Sequence, residues 1–177
     1  MSATGLDVFD KTIQTTNIWL DEIMADIGPD RQVAWHVLGA VLRALRDRIP
    51  IELAAHFSAQ LPILVRGAFY DQWNPQPEPL KRSQDEFLQF VQQGLQNIRP
   101  VNVRDATICV FAVLTRHIER GQCEKVRTSL PQELQVLWHL DESNADVEER
   151  AALGRQAQNA REARIYESRP EGQRKAR

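Results

Sequence analysis

Few residues in this chain stand at spacings that could do chemistry. Glu52 and His56 lie four apart, which on a helix puts both on one face, where they could offer two ligands to a metal ion. A closed site needs about two further ligands. The Glu-x-x-His pairs that helical bundles use for metals do not occur. The matching stretch of the second half, Gln122 to Val126, has no ligand pair. No metal and no cofactor is therefore expected, and Glu52 and His56 read as an exposed helix pair. His36, Arg43 and His117 are the other candidates: with Cys109 they could line a cleft and bind or deprotonate a small ligand. Against this, His36 and His117 read equally as hydrogen-bonded boundary residues. His139 can interact with the dipole of the last helix without any functional role. Cys109 reads as a small core hydrophobe, and Cys123 as an exposed thiol with no base to activate it. No catalytic residue is assigned.

Several reaction classes have no support. The eight glycines are scattered, with no Gly-x-Gly-x-x-Gly, phosphate loop or Gly-x-Ser-x-Gly elbow. Arg31, Arg43, Arg46 and Arg48 make one side of the second helix basic, which a DNA-binding helix would set on phosphates. With 22 Lys+Arg against 24 Asp+Glu, the chain offers no general attraction to nucleic acid or an anionic membrane. That face is expected to be solvated and ion-paired to Asp47 and Glu52. Tyr70 and Trp73, beside the prolines that follow, have two readings. They clamp a linker onto the body, or they form a patch for a protein partner, since Trp, Tyr and Arg dominate such hot spots.

These residues need elements to position them. Phe9, Ile13, Thr16, Leu20, Ile23 and Ile27 form one stripe of an amphipathic helix that Gly28-Pro29 ends. Asp30 is placed to cap a second helix, to about Arg48. It carries Val33, Val37, Val41, Ala44 and Leu45 on one face and Trp35, Leu38 and Leu42 on another, so it belongs at the centre of a bundle. Pro50 and Pro62 begin two short helices, the latter ending near Trp73. Asn-Pro-Gln-Pro-Glu-Pro, residues 74–79, cannot continue a helix. Ser83 to Glu86 spells a capping box ahead of Phe87, Phe90, Val91, Leu95 and Ile98. Asp105 to Arg120 predicts a second central helix, ended by Gly121, and Leu130-Pro131 starts the last helix.

The halves correspond. Ala34, Val37, Leu38, Ala40, Val41 and Leu42 align with Ala106, Cys109, Val110, Ala112, Val113 and Leu114 at a constant offset. Leu61-Pro62 then aligns with Leu130-Pro131 after a three-residue deletion. The expected architecture is all-α: two tandem pseudo-equivalent helical repeats packed into one bundle, with a polar C-terminal tail. Residues 6–140 form the duplicated domain: repeat one about 6–73, linker 74–82, repeat two about 83–140. Residues 141–177 form a charged tail whose large apolar residues are Val147, Leu153, Ile165 and Tyr166.

The segments Ala40-Val41-Leu42-Arg43, Gln60-Leu61-Pro62, Tyr70-Asp71-Gln72-Trp73, Asp85-Glu86-Phe87-Leu88 and Leu130-Pro131 resemble domain-of-unknown-function family 2267. The resemblance covers about Phe9 to Trp138. It implies a small all-helical bacterial protein and transfers no activity and no site residue. The N-terminus has no basic residue or apolar stretch of the kind a signal peptide needs, and no segment reaches the length of a membrane span. A cytoplasmic protein with reduced thiols is expected. The expected function is a non-enzymatic protein-interaction or accessory module, an adaptor or stress-associated protein, with an unidentified protein partner. A ligand or enzyme cleft between the repeats is the alternative, and DNA binding the third.

Overall fold

The computed structural model describes residues 4–76, 78–80 and 83–139; the tail from 141, with Leu153 and Ile165, lies outside the described residues. Eight helices and no strand occur among them: α1 (Asp7–Ile27), α2 (Arg31–Arg46), α3 (Ile51–Ala59), α4 (Ile63–Tyr70), α5 (Gln84–Gln93), α6 (Val103–His117), α7 (Arg120–Ser129) and α8 (Gln132–Gln135). The all-α class is as the periodicities imply.

Local chemistry sets most boundaries. Asp30 caps α2 by accepting from the Gln32 and Val33 N–H groups, and Asn102 caps α6 through Arg104 and Asp105. Ser83 and Glu86 complete the capping box on α5. Pro50, Pro62 and Pro131 each sit at the N-cap of a short helix, where a missing N–H costs nothing. Gly28, at φ +103°, takes the chain out of α1 through a conformation that other residues rarely adopt.

α2 and α6 form the centre and touch each other, and α1 and α5 each lie against both. α4 packs on α2 and α1, and α3 on α7. Trp138, just past α8, stacks on Phe111 of α6 with ring centroids 4.5 Å apart and donates its Nε1–H to Thr115 Oγ1 at 2.9 Å. Leu38, Leu42, Leu45 and Leu114 are wholly buried, as helices apolar on most sides require.

Three expectations need correction. The buried stripe of α1 is Thr12, Thr16, Trp19, Leu20 and Ile23, whereas Phe9 and Ile13 are exposed at 52% and 42%. With 21 residues, α1 is about 31 Å long, against about 24 Å for the 16 residues of α2. One end must overhang the central pair, and burial shows that it is the N-terminal one. Gly121 does not end α6; it lies in the first turn of α7, and Ile118, in extended conformation, ends α6. Cys123 is fully buried rather than exposed, because α7 turns that face toward α3 and α6.

Candidate functional site

The richest polar construction lies where α2 ends. Arg46 continues the line of Leu38 and Leu42 at steps of four, so the helix carries it into the body, where it is only 4% exposed. A buried guanidinium must be satisfied. Arg46 donates from Nε to Asp47 Oδ1 at 2.8 Å and from Nη1 to the carbonyls of Phe69 and Asp71 at 2.7 and 3.0 Å. Its plane lies over Trp73, 5.7 Å from the ring centroid. Trp73 in turn meets Tyr70 at 5.3 Å, and the Tyr70 hydroxyl bonds Ser58 Oγ at 2.7 Å. Farther along, the Leu80 N–H donates to the Asp47 carbonyl at 2.9 Å. The chain on either side of the proline-rich segment is thus tied to Arg46, the last residue of α2, and to Asp47, which follows it. Between the ties Gln72 adopts φ +52°, a left-handed conformation costing a non-glycine residue about 1 kcal/mol or more. The described residues of the segment help to line a cavity of about 250 Å³. Its walls include Ile49, Ile51, Trp73 and Leu80, with Arg46, Asp47, Gln72, Asn74, Gln76 and Glu78 supplying polar groups.

The expected cleft residues are found apart in their bonding. His36 Nδ1 lies 2.7 Å from the Gln32 carbonyl one turn back on its own helix. Arg43 folds back along α2, close over Gly39. His117 Nε2 meets Glu22 Oε1 at 2.7 Å, and its ring stacks on Trp19 at 5.2 Å. Among the described residues no hydrogen bond, ion pair or ring contact joins the three. The same Glu22 accepts from Arg116 Nε at 2.8 Å. Burial raises the Glu22 pKa, but the His117 and Arg116 contacts outweigh it and hold the carboxyl below its ordinary value.

The basic side of α2 is not a solvated stripe. Arg46 and Arg48 are turned inward, the latter donating to the Ala44 carbonyl and lying over Phe87 and Phe90. Arg31 is engaged by Asn17 and by Asp21. Of the two expected ion-pair partners, Asp47 is engaged and Glu52 is exposed with no described ion pair. Glu52 and His56 are both exposed, and no group of three His, Cys, Asp or Glu among the described residues could hold a metal. Cys123 donates to the Leu114 and Ile118 carbonyls, and burial, helped by Glu124, pushes its thiol up to about 12. A thiol so held is not a thiolate at neutral pH and cannot serve as nucleophile. Cys109 is 4% exposed, as a core residue should be.

The sequence reading missed Arg46 as the anchor of this site. The signal was present: a charged residue in step with Leu38 and Leu42 on a helix with little polar face.

A family model described as uncharacterized conserved protein (DUF2267) matches residues 16–137. A search of curated proteins gives no match. The matched stretch runs from the buried part of α1 to Leu137, and so takes in both central helices, the arginine-anchored loop and α8. On a match of that extent, the chain belongs to the DUF2267 family.

Proposed function

We propose that this protein is a non-enzymatic helical interaction module that docks a protein partner on the overhanging end of α1. The observation that carries this reading is the exposed apolar surface there. Leu6, Val8 and Phe9 are each just over half exposed, with Ile13 one turn beyond. Ile63 and Leu64 of α4 are also exposed, and the Leu64 N–H donates to Thr12 Oγ1 at 3.3 Å, so the two helix ends adjoin. Single exposed apolar residues are ordinary, whereas a group of this size marks an interaction surface. In this reading Tyr70 and Trp73 are the clamp of the proline-rich segment, because the Arg46 guanidinium already lies over the Trp73 ring and Ser58 already bonds the Tyr70 hydroxyl.

The tandem repeat is part of the same proposal. Support comes from paired contacts at corresponding positions. Thr12 accepts from the Leu64 N–H in the first half, and Glu133 accepts from the Gln84 N–H in the second. Arg66 and Gln135 each donate to the carbonyl of the leucine before the proline step. Arg99 Nη2 donates to the Ile27 carbonyl, and the two stand at corresponding positions of the halves.

The test is affinity capture from native lysate with the full chain and with Phe9→Glu/Ile13→Glu. Both residues are exposed, so the melting temperature should stay within a few degrees while the captured partner is lost. A partner retained by the double variant would move the docking surface elsewhere. A change in native mass with the same substitutions would make the partner a second copy.

A further inference from the structure

The cavity under the proline-rich segment has a feature that the fold itself does not require. In the correspondence between the halves, Arg46 stands where the second half has Ile118, which is 4% exposed and packs as an ordinary core residue. An apolar side chain therefore suffices for the helix end, and burying a guanidinium there carries a desolvation cost. Of its three nitrogens, Nε and Nη1 are occupied by Asp47, Phe69 and Asp71. Nη2 has no acceptor among the described residues, yet it is not among the buried polar atoms sealed from water. Arg46 is among the residues that line the cavity. The result is a nine-tenths-buried arginine at the edge of a concave space, with one nitrogen that has no acceptor among the described residues.

The surroundings narrow what can fill it. The volume of about 250 Å³ equals roughly eight waters of liquid, which suits a small metabolite rather than a peptide segment. Trp73 and Ile51 give one apolar side. The charged lining residues are Arg46, Asp47 and Glu78, one cation against two carboxylates. A simple anion would meet the guanidinium but be repelled by Glu78. A simple cation would leave Nη2 unsatisfied. A molecule with a carboxylate at one end and an ammonium beside it satisfies both. Asp47 uses Oδ1 on Arg46, which leaves its second oxygen available as an acceptor.

We propose that this cavity binds a small zwitterion, a free α-amino acid. Its carboxylate sits on Arg46 Nη2, its ammonium is held between Asp47 and Glu78, and its side chain lies against Trp73 and Ile51. In this proposal the ligand serves as a bound effector. Binding would stabilise the left-handed conformation of Gln72 beside the cavity. The proposal is independent of the α1 docking surface and uses none of its residues.

The test uses the full chain and each of the twenty proteinogenic amino acids as probes, with melting temperature and intrinsic tryptophan fluorescence as readouts. At least one amino acid should raise the melting temperature saturably and alter the fluorescence. The amine lacking its carboxylate, and the N-acetyl form lacking its ammonium, should each bind at least ten-fold more weakly. Glu78 is exposed, so Glu78→Gln should leave the melting temperature of the free protein unchanged while weakening binding at least ten-fold. Trp73→Phe should remove the fluorescence response. Absence of binding by all twenty would overturn the proposal, as would equal binding of the decarboxylated amine or affinity unchanged by Glu78→Gln.

Discussion

Thr16 shows how a single buried atom sets an energy. Its hydroxyl is shut inside the body and has no hydrogen-bond partner among the described residues, and the Trp19 indole N–H one turn on is in the same position. A buried polar group without a partner costs its desolvation. Thr16→Val keeps the shape and removes the hydroxyl, so it should stabilise the protein by about 1 kcal/mol, read as a higher urea midpoint at unchanged slope. A lower midpoint would mean that an internal water serves the hydroxyl. Arg46 carries the opposite lesson at the same scale. Its guanidinium is met by the Phe69 and Asp71 carbonyls, so the cost of burying its charge is partly offset. Helix periodicity carried the signal of its inward direction, although that face was expected to be solvated. Its acceptors were not legible, because Phe69 and Asp71 are brought to it by tertiary packing of α4 on α2.

At the scale of elements, α1 is held to α6 by more than apolar contact. Glu22 reaches across to the Arg116 and His117 side chains, and Trp19 lies flat against the His117 ring. The Glu22 pKa is depressed in the folded chain, so the unfolded chain binds its proton more readily. The stabilisation is therefore fully present above the ordinary value of 4.5 and is lost as pH falls through the lower folded value. Glu22→Gln should be less stable than the parent at pH 7, and the difference should shrink at pH 3. Urea midpoints of both proteins at the two pH values decide this; a gap equal at both would show that the carboxylate charge contributes nothing. Element boundaries were largely legible because caps and prolines act locally. Asp30, Ser83, Pro62 and Pro131 each mark a helix start that the structure contains. The failures have a common cause. Phe9, Ile13 and Cys123 were placed by their own sequence neighbours, whereas their exposure depends on how far a neighbouring helix extends. Of the candidate cleft residues, His36 meets the Gln32 carbonyl on its own helix and His117 meets Glu22.

For the whole molecule, the order of packing matters more than the number of helices. α1 belongs to the first half of the chain yet packs on α6, and α5 belongs to the second yet packs on α2. Each central helix is therefore covered on one side by its own half and on another by the other half. Separating the halves would expose Ile23 and Trp19 on one side and Phe87 and Val91 on the other, all of them buried in the intact chain. Loss of that burial removes roughly 1.5–3 kcal/mol for each large side chain, a sum comparable to the whole stability of a small domain. The chain should therefore unfold as one cooperative unit despite its two-part sequence. Leu42→Ala and Leu114→Ala, one on each central helix, should each cost about 2–5 kcal/mol. Both should shift the same single transition, whether followed by helicity or by tryptophan emission. Residues 4–80 and 83–139 made as separate fragments should each lack a cooperative urea transition, and mixing them should restore one. If residues 4–80 alone unfold cooperatively with Trp19 protected from quenching, the halves are independent domains. The central pair α2 and α6 would then be an interface and not a core.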